Sequence, residues 1–412
     1  MTSTLRFLHL ADLHLGNDQY RSPMRAEDMF ESFRDALSRF AVGKSVDFVL
    51  LSGDLFDKRN ISPETMKQAM DALALCREAE IPVLAIEGNH DRAADDAATW
   101  LRCLSDWGYL KLLAPEEDFS FLPWDEKKKS GGFFEVKDCR ILGSRWYGAS
   151  TSSVIPLLAK EVSALPPVSL QILMLHAGLE GKAARAMGGL SPSDLLPLKT
   201  AGIRYLALGH IHQRYEEDGW IFNPGSLEAC SVAESEFSRG AYLVEISTEE
   251  TKAVFLDDQR QRPFLRIRAD LGSFSTPDEA LAGIREILSG TEDSGILAPV
   301  VEFTTTGILN FPRHLLDSGA IEAAIEKKYH PSIVLLKSNA IPLEMGIATD
   351  VLHLDRAELE KKVIEELVAK DGRYQAQVSK WTEAILSLKN GILEGGSPND
   401  LALSIHRLQG EP

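Results

Sequence analysis

A chain of 412 residues exceeds what one ordinary core holds, so two or three domains are expected. Its 44% hydrophobic and 25% charged residues exclude a disordered or fibrous chain, and no apolar run approaches the ~20 residues that a membrane-crossing helix needs. The net charge of −17, spread over both halves, argues against a protein that holds nucleic acid by basic surface alone.

The strand-like run Leu5 to Leu10 begins almost at once. No basic region with an apolar core and a cleavage site precedes it, so no secretion signal and a cytoplasmic location are expected. Further strands are expected at Phe48–Leu51, Pro82–Ile86, Arg140–Gly143, Gln171–Leu175, Tyr205–Leu208, Trp220–Phe222 and Ala241–Ile246, with Arg6–Leu10 as the first. Amphipathic stretches such as Met24–Phe40 and Pro63–Glu80 alternate with them, which predicts an α/β layered domain over residues 1–260. Arg260-Gln261-Arg262-Pro263 is a junction. Residues 261–345 repeat a smaller β-α-β-α-β pattern: Phe264–Asp270, Pro277–Leu288, Pro299–Thr304, His314–Lys328 and Ser332–Leu336. Residues 346–412 predict a helical tail. There Leu359, Val363 and Leu367 share one face, and Val378, Trp381, Ile385, Leu388 and Ile392 another. Ser397-Pro398-Asn399-Asp400 opens a third short helix, with Ser as N-cap and Pro in the first turn. The four cysteines, Cys76, Cys103, Cys139 and Cys230, are scattered and read as buried or idle thiols in a reducing compartment.

Five clusters follow the apolar runs of the first domain: Asp12-Leu13-His14, Gly53-Asp54-Leu55-Phe56-Asp57, Gly88-Asn89-His90-Asp91, His176-Ala177-Gly178 and Gly209-His210-Ile211-His212. The carboxyl ends of strands are where α/β sheets form their sites, so clusters distant in sequence are expected to converge there. Carboxylate, carboxamide and imidazole donors suit divalent cations such as Mn²⁺, Fe²⁺ or Zn²⁺. A two-cation centre needs a bridging carboxylate and enough neutral donors to leave positive charge for a phosphate, and these clusters hold both. Such a centre acidifies water for in-line attack, and a histidine outside the ligand set protonates the departing oxygen. Asp-x-His alone is a weak signal. The five clusters in order, holding five of the ten histidines, are a strong one.

At these residues the chain resembles the calcineurin-like metallophosphoesterase superfamily and, within it, the SbcD-type DNA repair exonucleases and their YhaO-like branch. The turn Asn223-Pro224-Gly225-Ser226 and the run Ser238-Arg239-Gly240-Ala241-Tyr242-Leu243-Val244-Glu245 belong to the same resemblance. It implies a layered β-sandwich flanked by helices, a small α/β capping domain for DNA recognition and partner-binding helices in the tail. It implies that Asp12, His14 and His212 hold one metal, that Asn89, His176 and His210 hold the other, and that Asp54 bridges them. His90 is the implied general acid, and Asp57 the carboxylate that orients it. Asp91 is a supporting or turn-capping carboxylate. The resemblance further implies two manganese ions, a 3′-to-5′ exonuclease and single-strand endonuclease on DNA, a coiled-coil ATPase partner of SbcC type, and a possible homodimer. A small-molecule or cyclic-nucleotide phosphodiesterase would use the same site. A non-catalytic scaffold would have no physical need for all of these residues.

Overall fold

The computed structural model describes residues 4–92, 98–182, 189–291, 298–342, 356–370, 374 and 377–393. Among the described residues, the first part of the chain has twelve strands: β1 Leu5–Leu10, β2 Phe48–Ser52, β3 Val83–Ile86, β4 Lys111–Leu112, β5 Phe133–Val136, β6 Cys139–Gly143, β7 Leu170–His176, β8 Tyr205–Gly209, β9 Tyr215–Glu217, β10 Ile221–Asn223, β11 Ala241–Ile246 and β12 Thr251–Leu256. They form two six-stranded sheets, ordered β12-β11-β1-β2-β3-β4 and β5-β6-β7-β8-β10-β9. β1 to β4 run parallel, as do β6, β7, β8 and β10. Strands covered on both faces read as unbroken apolar runs, and β2, β3 and β8 are buried along their whole length.

The sheets pack face to face. Between them lie Phe7, Phe48, Leu50, Ile141, Ile172, Tyr205 and Phe222. Phe7 stacks on Phe48 with ring centroids 4.9 Å apart, and Tyr205 on Phe222 at 4.5 Å. Helices α1 Pro23–Ala36, α2 Pro63–Glu78 and α3 Trp100–Asp106 cover the outer face of the first sheet. Helices α4 Thr151–Ala164 and α5 Leu196–Thr200 cover that of the second. The result is the helix-flanked β-sandwich that the motifs implied. In α2 the Ser62 hydroxyl caps the Thr65 amide, Pro63 opens the first turn, and Met66, Ala69, Leu73 and Cys76 face the core. Each large apolar side chain so buried contributes roughly 1.5–3 kcal/mol. The helix expected over Met24–Phe40 is regular only to Ala36; the chain then winds wider over Leu37–Val42, where Gly43 N–H reaches Ser38 O.

His9 is fully buried in the inter-sheet core. Its Nδ1 lies 2.9 Å from Tyr205 Oη, and its Nε2 3.0 Å from Leu208 O. A carbonyl only accepts, so Nε2 donates and Nδ1 accepts from the tyrosine. Burial lowers the His9 pKa to about 3, and the imidazole is neutral.

The rest of the chain carries β13 Phe264–Asp270, α6 Pro277–Gly290, β14 Val300–Thr306, α7 Ser318–Tyr329 and β15 Ile333–Ser338, in the β-α-β-α-β order read from the sequence. The sheet order is β13-β14-β15. Helix α6 buries Ala280, Ile284 and Leu288 at helical spacing, and α7 buries Ile321, Ile325 and Tyr329. By compactness the chain divides into two units, residues 1–267 with 288–303 and 322–336, and residues 268–287 with 304–321 and 337–412. Two tail helices follow, α8 Arg356–Lys370 and α9 Val378–Leu393, joined by a Glu360–Lys389 ion pair. The third helix expected from Ser397 lies outside the described residues. Among the described residues no helix is long and apolar enough to cross a membrane.

Candidate metal centre

All five clusters stand at the carboxyl ends of parallel strands: Asp12 and His14 beyond β1, Asp54 and Asp57 beyond β2, Asn89 and His90 beyond β3, His176 at the end of β7, and His210 and His212 beyond β8. The loops are tightly wound. Asp12, His14, Asp54 and His210 all have positive φ (53°, 46°, 53° and 93°), a conformation that costs an ordinary residue ~1 kcal/mol or more. Hydrogen bonds hold them there. Asp12 N–H donates to Gly53 O at 3.1 Å, His14 N–H to Asp54 O at 3.1 Å, and His210 N–H to both Asp12 carboxylate oxygens at 3.0 Å. Gly88 has no freedom to be anything larger: a Cβ there would stand 2.1 Å from Asp54 Oδ1.

The donor atoms gather in two neighbouring groups. In one, Asn89 Oδ1 lies 3.1 Å from His176 Nε2 and 2.9 Å from His210 Nδ1, and Asp54 Oδ2 lies 3.2 Å from His176 Nε2. In the other, His14 Nε2 faces His212 Nε2 at 3.0 Å, and Asp12, His14 and Asp54 bring ligand atoms within 4.8 Å of one another. Asp54 belongs to both groups. His176 Nδ1 donates to Ser52 O at 2.8 Å, which turns its Nε2 towards an amide oxygen and a carboxylate. Bare acceptors this close repel one another unless a proton or a cation lies between them. Borderline divalent cations fit this oxygen-and-imidazole set. Burial alone would raise the Asp54 pKa, yet His176, His14 and the His90 amide hold it well below the usual carboxylate range. Burial likewise disfavours charge on His176, but Asp54 raises its pKa to about 9. The field that would retain a proton here attracts a cation equally.

His90 stands beside this cluster, its ring 4.9 Å from that of His14. The resemblance assigned its orientation to the Asp57 carboxylate. The main-chain carbonyl of Asp57 does this instead, accepting from His90 Nδ1 at 2.7 Å. The Asp57 carboxylate accepts from Asn17 Nδ2 at 2.8 Å and lies 3.5 Å from His14 Nδ1. Asp91 is a loop knot: it accepts from Gly88 N–H at 3.0 Å, Phe56 N–H at 3.1 Å and Leu55 N–H at 3.3 Å, tying the β2 and β3 loops together.

Sequence reasoning missed Asn17 and Glu234. Glu234 Oε1 accepts from His212 Nδ1 at 3.0 Å, and the Glu234 carbonyl is braced by Arg239 Nη1 at 2.7 Å. Nothing marks Glu234 in the sequence, although the Ser238-Arg239-Gly240 run that braces it was visible. The Asn223-Pro224-Gly225-Ser226 turn acquires a physical meaning. Asn223 Nδ2 donates to Ile211 O at 2.7 Å and Gln213 O at 3.0 Å, clamping the loop that carries both histidines.

This fold and donor set define a metal-dependent phosphodiesterase. The profile of the calcineurin-like phosphoesterases matches residues 5–214, half of the chain, and the chain belongs to that family. Among curated proteins it is 30% identical over 310 residues to the DNA double-strand break repair protein Mre11 of Archaeoglobus fulgidus, covering 71% of this chain and 67% of that one. It is 26% identical over 385 residues to the Mre11 of Methanosarcina mazei, covering 89% of this chain but 55% of the relative. It is 28% identical over 265 residues to YhaO of Bacillus subtilis, an uncharacterized metallophosphoesterase, covering 64% of this chain and 60% of YhaO. The chain thus spans between about half and two thirds of these relatives' own lengths.

Proposed function

We propose that this chain is a cytoplasmic DNA nuclease of break repair, close to the SbcD type, which hydrolyses phosphodiester bonds as a 3′-to-5′ exonuclease and single-strand endonuclease. The observation that carries it is the convergence of seven donors on two adjoining positions with His90 beside them, in a chain whose relatives are named for DNA break repair. Asp12, His14 and His212 would hold one cation and Asn89, His176 and His210 the other, with Asp54 between. Two divalent cations, manganese in this reading, supply when bound the positive charge that neutralises a phosphate and lowers the pKa of water. The protein's own part is positioning and proton transfer. Asp57 O fixes the Nδ1 of His90 as a donor, so Nε2 is the atom that exchanges a proton with the departing oxygen. Ser52 O and Glu234 do the corresponding work for His176 and His212, turning their Nε2 atoms to the site.

The tail supports a partner. Val363 and Leu367 on α8 and Ile385 on α9 are exposed apolar side chains at helical spacing. In this reading they dock on a coiled-coil ATPase of SbcC type, which supplies basic surface that a chain of net charge −17 lacks. Self-association as a homodimer belongs to the same reading.

The test is Mn²⁺-dependent cleavage of labelled single- and double-stranded DNA, beside a small chromogenic phosphodiester, by wild type and His90→Ala. DNA cleavage lost in the variant with cations retained supports the reading. Turnover of the small ester alone, unchanged on adding the ATPase, would favour a small-molecule phosphodiesterase. Removing residues 346–412 should spare the small ester and abolish capture by the ATPase.

A further inference from the structure

Besides the seven donors, His90 and Asp57, a cysteine stands against the site. A ring nitrogen of His14, a ring nitrogen of His212 and the Sγ of Cys230 all lie within 4.8 Å of one another. The backbone that carries the cysteine is held from both sides of its loop. Cys230 N–H donates to Glu234 Oε2 at 2.8 Å, while the other oxygen of that carboxylate takes His212 Nδ1 at 3.0 Å. One carboxylate therefore fixes both the imidazole and the cysteine backbone. On the other side, fully buried Arg25 donates to Ala229 O at 2.6 Å and to Glu228 Oε1 at 3.3 Å. A second observation, independent of the cysteine, asks for a cation at this place. His212 Nδ1 is committed to Glu234, so its Nε2 is the nitrogen that faces His14 Nε2 at 3.0 Å, a gap that one proton or a cation in its place can fill. Cys76 and Cys139 are by contrast ordinary core thiols, fully buried among apolar side chains.

We propose that Cys230 is a further donor to the cation held by His14 and His212, and that its sulfur makes this position prefer Zn²⁺ or Co²⁺ to Mn²⁺. The proposal rests on the two-cation site of the function proposed above. On binding, the S–H bond breaks, the proton passes to solvent and the sulfur lone pair forms the bond to the cation; no electron is gained or lost. With Asp12 and the shared Asp54 the donor set becomes two imidazoles, two carboxylates and a thiolate, and the added sulfur favours zinc and its substitute cobalt. The other position, with Asn89, His176, His210 and Asp54, has no sulfur and keeps an oxygen-and-imidazole set. The two positions then differ in the cation they select.

The experiment titrates the full metal-stripped chain with Co²⁺ alone, following near-ultraviolet absorption and bound cobalt, in wild type and Cys230→Ser. Both should bind two equivalents. Wild type should develop a thiolate-to-cobalt charge-transfer band that saturates with one of them, and Cys230→Ser should show none. The Zn²⁺-over-Mn²⁺ preference should fall by about tenfold or more in the variant. Two bound equivalents without the band in wild type overturn the thiolate donor while leaving the two-cation site standing. Fewer than two equivalents in wild type overturn both. A band that persists in Cys230→Ser assigns the sulfur elsewhere and overturns the proposal. The wild-type spectrum needs no variant, and Cys230→Ala serves if the serine chain fails to fold.

Discussion

Glu234 Oε1 lies 3.0 Å from His212 Nδ1, and this contact decides which edge of the imidazole the metal centre receives. A carboxylate only accepts, so Nδ1 carries a proton and Nε2 is the nitrogen turned to the site. Carboxylates that orient a metal-binding histidine in this way typically contribute 10–100-fold to metal affinity. Glu234→Ala should therefore weaken one of two cations by about that factor and leave the other unchanged. Glu234→Gln keeps an acceptor oxygen and should retain most of the affinity. Calorimetric titration with Mn²⁺ resolves the two events; equal weakening of both would mean that Glu234 merely supports the loop.

Asp57 separates two roles within one residue. Its carbonyl holds His90, and its carboxylate meets Asn17 and the His14 side of the site. Asp57→Asn keeps the carbonyl, so turnover of a small phosphodiester should fall much less than in His90→Ala, where a lost general acid removes roughly 10²–10⁴-fold. Cation affinity at the position of His14 should decline instead. Steady-state kinetics beside a cation titration checks this. A loss equal to that of His90→Ala, with both cations bound normally, would show that the carboxylate acts on His90 after all.

Gly225 has φ +74°, and a Cβ there would stand 2.4 Å from His212 O. Gly225→Ala must therefore move either the turn or the histidine loop. Destabilisation of about 1–3 kcal/mol is expected, together with reduced occupancy of the cation held by His212. Thermal unfolding and cation counting measure the two effects. A wild-type Tm with full occupancy would show that the turn yields without disturbing the site.

Burial lowers the His9 pKa to about 3, against about 6.5 in the unfolded chain. Between these values the unfolded state binds one more proton, so this residue reduces stability as pH falls. The loss begins near pH 6.5, runs at roughly 1.4 kcal/mol per pH unit and ends near the folded value. Above pH 6.5 it contributes no pH dependence. His9→Gln removes this share of the slope whatever the substitution costs in absolute stability. Urea unfolding of both chains from about pH 7 to about pH 4 compares the slopes. Parallel curves would mean that His9 titrates alike in both states.

The residues that converge on the candidate site were legible in the chain as donor types placed after apolar runs. Asp12, Asp54, Asn89, His176, His210 and His212 each follow an apolar run, and the carboxyl end of a buried strand is where a loop can present a donor. The strands of the sandwich were legible for the same reason, since burial on both faces leaves unbroken apolar runs such as Phe48–Ser52. The edge strands were not legible: Lys111–Leu112 and Tyr215–Glu217 are too brief to carry a period, and Phe133–Val136 and Thr251–Leu256 are only partly buried and form no unbroken apolar run. The tertiary structure alone decided the pairings. Nothing within a single segment says that the carbonyl of Asp57, rather than its carboxylate, meets His90, or that Glu234 and Cys230 close on His212 from a later loop. A hydrogen bond between residues 22 positions apart, such as His212 to Glu234, depends on two loops meeting above two packed sheets, and no local pattern encodes that distance.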